Sequence, residues 1–200
     1  MRESAHKITV TAMLSAVAFV LMFLEFPIPL MPSFVKLDVS DLPALLGAFA
    51  LGPVSGIVIE AVKNILHILL KGTSSAGVGE LCNFLLGCFF VVPAGWIYRR
   101  KKTRTRAVIG AVVGCAVMAV CSLPINFFLV YPAYVRFYGM PLESIIAMYQ
   151  AIFPGVNSLL GCLALFNMPF TFVKGVLDAV LCFLIYKPLS PILHHRSGST

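Results

Sequence analysis

Charged side chains are scarce in this sequence: only 12% of its 200 residues are Asp, Glu, Lys or Arg, whereas 60% are hydrophobic. The mean hydropathy is +0.96, well outside the range of soluble domains. A soluble globular fold would have too little polar surface with this composition. The length suffices for about six apolar spans of roughly 20 residues with short connections. We therefore expect one membrane domain over residues 1–200, without an appended soluble enzyme.

The sequence also lacks the motifs of several function classes. It has no glycine-rich phosphate loop ending in Lys-Ser or Lys-Thr and no nucleophile with a convincing base, so we predict that it is not an enzyme. Its six cysteines lie in apolar segments without zinc or disulfide spacing, and no histidine has a ligand partner nearby, so we expect no metal site. Its basic residues are not interleaved with exposed aromatic residues, which argues against a nucleic-acid partner.

Turn residues divide the apolar sequence into six predicted helices, at about residues 8–25, 42–51, 54–70, 80–98, 107–130 and 163–186. The first is retained, because Glu25 and two prolines follow it instead of a small-residue cleavage site. The second is short, which is tolerable only if its end is sheltered by protein. Residues 26–40 are predicted to form a proline-rich, lid-like outer loop. Residues 132–161 form a long outer connection with an amphipathic piece near 142–152.

The basic residues predict the orientation of these helices. Residues 99–106 contain a dense cluster of Lys and Arg, and further basic residues precede the first helix and follow the sixth. With six spans these three regions lie on one side, which the positive-inside rule makes cytoplasmic. The fold class is thus an all-α integral membrane protein with six transmembrane helices and both termini cytoplasmic. The basic cluster is also a candidate site for anionic membrane lipid.

A small set of polar residues interrupts the apolar segments, and such residues are functional candidates because an unpartnered polar group in hydrocarbon is costly. The set comprises Lys63, Asn64, Glu80, Asn83, Asn126, Thr171, Lys174 and Asp178. Thr171 and Lys174 share a helix face because they are three residues apart. We expect Lys63 to snorkel to the outer surface, whereas Lys174 either contacts a ligand or pairs with Asp178, and the two roles are compatible. The pattern indicates a polar pocket inside a membrane protein.

Several motifs, in order along nearly the whole chain, resemble one known family. They are residues 35–45 (VKLDVSDLPAL), Gly47-Ala48, Gly52-Pro53, Glu60-x-x-Lys63-Asn64, Gly79-Glu80-x-x-Asn83-Phe84, Pro93-Ala94-Gly95, Tyr98, and residues 169–175 (PFTFVKG). Together these segments resemble the riboflavin-specific substrate-binding (S) component of bacterial energy-coupling-factor (ECF) vitamin transporters. One position departs from the pattern: some relatives have asparagine where this chain has Thr171, and a hydroxyl has one donor where an amide has two.

The resemblance implies a subunit of the bacterial cell membrane that binds riboflavin from outside, as a transported ligand and without a cofactor. Uptake would require a transmembrane coupling subunit and two cytoplasmic ATPases. Ala12 and Ala16 lie one turn apart on the first helix, and small residues at this spacing allow a second helix to approach closely. Packing within the chain is the alternative explanation for that spacing, and the resemblance favours docking of the coupling subunit.

Riboflavin has a planar ring with a uracil-like edge and a hydroxylated chain, so its site requires an apolar slot and a few directed polar groups. Our candidate ligand contacts are Leu37, Asp38, Glu80, Asn83, Asn126, Thr171, Lys174 and Asp178. Glu80 is equally explained as a helix N-terminal carboxylate, and helix capping is the default explanation for Ser40 or Asp41. Two other functions remain open: an S component for a different vitamin or base, and a self-sufficient secondary transporter, although no internal repeat supports the latter.

Overall fold

The computed structural model describes residues 2–29, 31–32, 35–73 and 76–193, most of which are helical. In chain order its elements are α1 (Arg2–Phe23), β1 (Phe26–Pro27), β2 (Lys36–Leu37), α2 (Asp41–Ala50), α3 (Pro53–Lys71), α4 (Val78–Arg100), α5 (Arg104–Ile125), α6 (Tyr131–Tyr138), α7 (Leu142–Gln150), α8 (Leu159–Cys162) and α9 (Met168–Leu193). Two π-helical turns, π1 (Asn126–Val130) and π2 (Leu163–Asn167), join α5 to α6 and α8 to α9. Each join makes one continuous rod, called the α5–α6 rod and the α8–α9 rod below.

Five helical stretches are long and apolar enough to cross a membrane, namely Ser4–Phe23, Pro53–Lys71, Val78–Arg100, Arg104–Phe137 and Leu159–Tyr186. Many large apolar side chains on these stretches face outward, among them Leu69, Val108 and Phe128. A water-soluble protein does not expose apolar surface on this scale. The outward side chains therefore face lipid, and the chain crosses the membrane several times.

Helix α2 is an exception because it has only ten residues, or about 15 Å of helix. All residues from Asp41 to Phe49 are buried, and α1, α3, α4 and α9 pack around them. The chain then turns at Gly52, whose φ of +107° favours glycine, and Pro53 begins α3. The surrounding helices thus provide the shelter that the sequence analysis required for a short second helix.

Glycines allow the α5–α6 rod to lie directly on α4. A β-carbon at Gly114 would overlap the carbonyl oxygen of Phe90, and one at Gly110 would overlap that of Ala94. The two glycines are four residues apart, the small-residue spacing that brings membrane helices into backbone contact. This contact fixes the position of the rod whose next turns carry the candidate residue Asn126.

The two rods extend beyond the bounds predicted for the fifth and sixth helices. We expected the fifth helix to end near Val130 because Pro132 follows, but α6 continues to Tyr138 and ends at Gly139, whose φ is +60°. Pro132 is the second residue of α6, just after π1. Regular α-helical bonding is already interrupted there, so its missing N–H breaks no further bond. The α8–α9 rod begins at Leu159 instead of about 163. The connection is therefore shorter than the predicted range 132–161.

Helix α7 lies within this connection, where an amphipathic piece was predicted. It buries Ile145 and Tyr149 in a second core cluster with Tyr131, Cys162 and Leu163. The main core cluster instead surrounds α2 and includes Leu45, Ile59, Phe90 and Met118. Helix α7 is therefore packed against the two rods at their π turns.

The predicted lid-like loop contains a short antiparallel hairpin in which Phe26 pairs with Leu37 and Pro27 pairs with Lys36. Residues 30, 33 and 34 of that loop lie outside the described residues. Glu25, just before the hairpin, accepts hydrogen bonds of 2.6 Å from Lys36 and from Lys71. One carboxylate thus links the end of α1, strand β2 and the last residue of α3.

Candidate ligand-binding site

A cavity lies between the hairpin segment, the start of α2, α4 and the π-turn regions of both rods. Its lining residues are Val35, Lys36, Asp38, Asp41, Gly79, Cys82, Asn83, Leu86, Met118, Asn126, Val130, Tyr131, Tyr134, Asn167, Phe170, Thr171 and Lys174. The lining thus combines apolar and aromatic side chains with amide, hydroxyl and charged groups. This combination is typical of small-molecule sites, where a few polar groups orient a mostly apolar ligand.

Lys174 on α9 is the buried cation of the cavity wall. Its Nζ lies 3.1 Å from Oδ2 of Asp38 and 3.1 Å from Oδ2 of Asp41. Asp38 also accepts a hydrogen bond of 2.9 Å from the backbone N–H of Ser40. A buried ammonium with two carboxylate partners retains its charge, because those partners replace the lost hydration. Lys174 therefore links α9 to the segment just before α2.

Lys63 on α3 extends this charged cluster into the interior of the bundle. It donates to Oδ1 of Asp41, lies 2.9 Å from the hydroxyl of Ser40 and pairs at 2.8 Å with Oε2 of Glu60. Its side chain is 0% exposed. Our prediction that Lys63 snorkels to the outer surface is therefore wrong, because its carboxylate partners lie inside the bundle.

Asp178 does not pair with Lys174 as the sequence analysis suggested. It follows Lys174 by one turn on α9 and is fully buried, yet neither carboxylate oxygen has a hydrogen-bond partner among the described residues. Asp38 and Asp41 instead provide the carboxylates that contact Lys174. Lys174 and Asp178 have the helical spacing of an ion pair, but Lys174 pairs with carboxylates that are distant in sequence.

Two amides of the wall are oriented by hydrogen bonds behind them. Asn64 donates to the backbone oxygen of Glu60 at 2.8 Å and to Oδ1 of Asn83 at 3.3 Å. The Oδ1 of Asn83 therefore faces Asn64, which leaves its N–H groups for a ligand. Asn126 donates through Nδ2 to the backbone oxygen of Ser122 at 2.7 Å, so its Oδ1 remains as an acceptor. The wall thus offers both a donor and an acceptor amide.

The structure brings five of the predicted ligand contacts to this cavity: Asp38, Asn83, Asn126, Thr171 and Lys174. Leu37, Glu80 and Asp178 do not line it. Leu37 is buried in strand β2 between two residues that do. Glu80 binds Nδ1 of His67 at 3.2 Å and the Thr73 hydroxyl at 3.0 Å, so its contacts lie within the fold.

Several cavity residues were not among our predicted contacts, including Asp41, Tyr131 and Asn167. Asn167 precedes Thr171 by four residues and Lys174 by seven, so continuing their helix face backward would have identified it. Asp41 was explained as a helix cap, and no local signal reveals its contacts with α3 and α9. Tyr131 lay between the predicted fifth helix and the predicted outer connection, outside any predicted helix.

Ala12 and Ala16 lie on a different part of the molecule. Both are exposed on α1, whereas Leu14, Ser15 and Ala18 are buried against the bundle. The two alanines therefore face away from the chain's own core.

Comparisons with known proteins agree on one family. Residues 6–186 match the family model described as the substrate-specific component of ECF transporters. The chain is 34% identical to the riboflavin transporter FmnP of Bacillus subtilis (strain 168) over 96% of both chains. It is also 34% identical to the riboflavin transporter RibU of Staphylococcus aureus (strain TCH60), over 96% of this chain and 94% of that protein.

A solved structure is similar as well. It is described as the S component of a bacterial ECF transporter and superimposes with a TM-score of 0.74 at 32% identity. The match covers 96% of this chain and 99% of that one.

Proposed function

This chain belongs to the substrate-specific components of ECF transporters, and we propose that it is the membrane subunit through which such a transporter takes up riboflavin. Members of this family are transporter components, not enzymes. The observation that carries the choice of ligand is the near full-length similarity to two riboflavin transporters at 34% identity. Riboflavin is then a transported ligand held by the cavity, and not a cofactor.

The chemistry of the cavity supports an uncharged ligand with a polar edge. Two cations are among the described lining residues: Lys174 contacts two carboxylates, and Lys36 pairs with Glu25. Neither is therefore left unpaired for an anionic group. The uracil-like edge of riboflavin presents donors and acceptors, which suit the free N–H groups of Asn83 and the free oxygen of Asn126. Thr171 adds a hydroxyl, and Phe170 adds an aromatic face beside it.

We infer six membrane segments, with the buried α2 as the short sixth beside the five long ones. An even number places both termini on the same side as residues 99–106, and the positive-inside rule makes that side cytoplasmic. Arg100 stacks on Trp96 with its guanidinium carbon 4.2 Å from the ring centre. Tryptophan and arginine at a helix end are typical of a membrane interface. The cavity would then open toward the outside, below the hairpin.

Uptake by this subunit would depend on partners, which we propose to be a transmembrane coupling subunit and two cytoplasmic ATPases. The exposed Ala12 and Ala16 on α1 are the proposed contact for the coupling subunit, because small side chains allow a close helix approach. Anionic lipid at residues 99–106 is a further proposed contact.

Titration of riboflavin into the purified subunit tests the proposed ligand. We expect saturable quenching of flavin fluorescence with one binding site, and a yellow preparation from cells grown in rich medium. Lumichrome, thiamine and biotin serve as competitors, and riboflavin should be displaced only by the flavin analogue. A folded subunit that shows no saturable riboflavin binding would contradict the proposal, and displacement by another vitamin would identify a different ligand.

A further inference from the structure

The π turns of the two rods meet at the cavity. Tyr131 directly follows π1, and Asn167 is the last residue of π2. Both side chains line the cavity. They are nevertheless largely buried, since only 1% of Tyr131 and 6% of Asn167 is exposed. A π turn shifts the register of the residues around it, and such turns often occur at functional sites. Here the two turns bring a phenol and an amide to the same wall.

Tyr149 on α7 holds these two groups together from behind. It is fully buried and does not line the cavity. Its hydroxyl donates to Oδ1 of Asn167 at 2.6 Å and lies 2.5 Å from the hydroxyl of Tyr131. Asn167 Nδ2 lies 3.4 Å from the same Tyr131 hydroxyl. The three side chains therefore form a closed ring of hydrogen bonds.

The direction of every bond in this ring follows from the number of protons. An amide oxygen only accepts, so the single O–H proton of Tyr149 goes to Asn167. Tyr131 must then donate its own proton to Tyr149, and the amide nitrogen of Asn167 donates to Tyr131. The ring uses one of the two N–H groups of Asn167. It thus fixes which end of the amide is oxygen and which is nitrogen, and leaves one N–H unused by the ring.

We propose that Tyr149 is a positioning residue for the riboflavin site, which acts by fixing the amide of Asn167 so that its second N–H binds an acceptor of the ligand. This inference rests on the proposed function, since riboflavin provides suitable acceptors in its ring carbonyls, ring nitrogens and ribityl hydroxyls. Tyr149 does not touch the ligand. Without its hydroxyl the amide loses the bond that sets its orientation, and its oxygen can turn toward the ligand acceptor.

A double-mutant cycle on riboflavin affinity tests this role. Tyr149→Phe keeps the aromatic ring and removes only the hydroxyl, and we expect the dissociation constant to rise roughly three- to tenfold, the effect of one hydrogen bond. Asn167→Ala should weaken binding at least as much. Because Tyr149 acts through Asn167, adding Tyr149→Phe to Asn167→Ala should cause no further loss.

Tyr98→Phe is the matched control. Tyr98 hydrogen-bonds another tyrosine, Tyr186, within a pair that does not line the cavity. This variant loses a tyrosine–tyrosine bond as well, yet it should bind riboflavin with unchanged affinity. The melting temperature of each variant in detergent separates a loss of folding from a loss of binding.

Unchanged affinity in folded Tyr149→Phe would overturn the inference, and so would an equal loss in the wild-type and Asn167→Ala backgrounds. A Tyr149→Phe protein that does not fold would assign the ring to stability and overturn it as well. Failure of the wild-type protein to bind riboflavin is a different result, because it contradicts the proposed function before any variant is compared.

Discussion

Lys174 is the residue at which ligand contact and internal ion pairing meet, since it lines the cavity and contacts Asp38 and Asp41. We predict that Lys174→Ala raises the riboflavin dissociation constant about tenfold to a hundredfold, because a hydrogen bond from a charged donor is worth about 1.5–3 kcal/mol. Fluorescence titration measures this change.

The double variant Lys174→Ala/Asp38→Asn separates the two roles. Removal of Lys174 alone leaves Asp38 without its cation, whereas Asp41 keeps Lys63. If the double variant regains wild-type affinity, Lys174 only balances the charge of Asp38 and does not contact the ligand.

Glu25 provides a second prediction, at the hairpin. Partial burial raises the pKa of Glu25, but hydrogen bonds and charge attraction from Lys36 and Lys71 outweigh it and hold the pKa below its ordinary value. A carboxyl group with a lowered pKa in the folded state contributes stability at pH values above its unfolded pKa and loses it as the pH falls through the folded pKa. The ion pairs of Glu25 with Lys36 and Lys71 are therefore intact at neutral pH. They are lost only in acid, below the ordinary glutamate pKa of about 4.3.

We predict that Glu25→Gln speeds riboflavin dissociation about two- to fivefold at neutral pH, because partly exposed ion pairs contribute little each. Stopped-flow fluorescence measures the rate, and added salt should reduce the difference from the wild type. Glu143→Gln is the control, since Glu143 is an exposed carboxylate on α7. Identical rates for Glu25→Gln and wild type would show that the link does not restrain the hairpin.

At this scale the sequence predicted several cavity residues but not the distant partners that hold them, such as Asp38 and Asp41 for Lys174. Thr171 and Lys174 were found because helical spacing places them on one face. Asp41 and Lys63 were misassigned, since each has a common local role, as a helix cap and as an interfacial lysine. Their actual roles depend on the packing of α2 against α3 and α9, which no local pattern encodes.

At the scale of helices, the contact between α4 and the α5–α6 rod provides a stability prediction. Gly114→Ala should lower the melting temperature by about 2–10 °C, since an added methyl group in a tight contact costs about 1–3 kcal/mol. The methyl group would meet the Phe90 backbone, which cannot move aside as a side chain can. Thermal unfolding in detergent measures the shift.

Ala116→Val is the control for Gly114→Ala, because it also adds volume on the same helix but at an exposed position. Its melting temperature should stay near that of the wild type. An equal fall in both variants would contradict the close packing of Gly114 on α4.

Helix positions followed from apolar runs and turn residues, whereas the π turns did not. Apolar periodicity indicates that a segment is helical, but an α-helix and a π turn place apolar residues in nearly the same pattern over five residues. Pro132 was interpreted as the end of a helix because the apolar pattern did not reveal π1, which comes just before it. The sequence did contain the correct signal, Gly139, which ends α6 in the left-handed conformation.

At the scale of the whole molecule, composition alone was sufficient for the membrane class, because so few charged residues cannot cover a soluble surface. The ligand was different: apolar segments with polar interruptions predict a pocket but fit many small molecules. Only the ordered motifs along the chain resembled a riboflavin-binding family. The hydrogen bonds that orient Asn83 and Asn167 could not be predicted, since each joins separate helices.

The outer face of α1 provides the prediction that concerns the whole transporter. Ala12 and Ala16 are exposed, whereas Leu14, Ser15 and Ala18 face the core, so a bulky side chain at either alanine has room in the isolated subunit. We predict that Ala12→Trp and Ala16→Trp bind riboflavin as the wild type does but abolish uptake in cells, because the added bulk blocks close approach of the coupling subunit.

Val112→Trp is the matched control for these two variants, since Val112 is exposed on α5, a different helix. It should retain both binding and uptake, which excludes a general effect of tryptophan in the membrane. Binding to purified protein and uptake of labelled riboflavin by cells with equal expression are the two measurements. Binding and uptake depend on different surfaces in our proposal, so they must separate in the α1 variants and stay together in the control. Normal uptake by both alanine variants would place the coupling subunit on another face of the bundle.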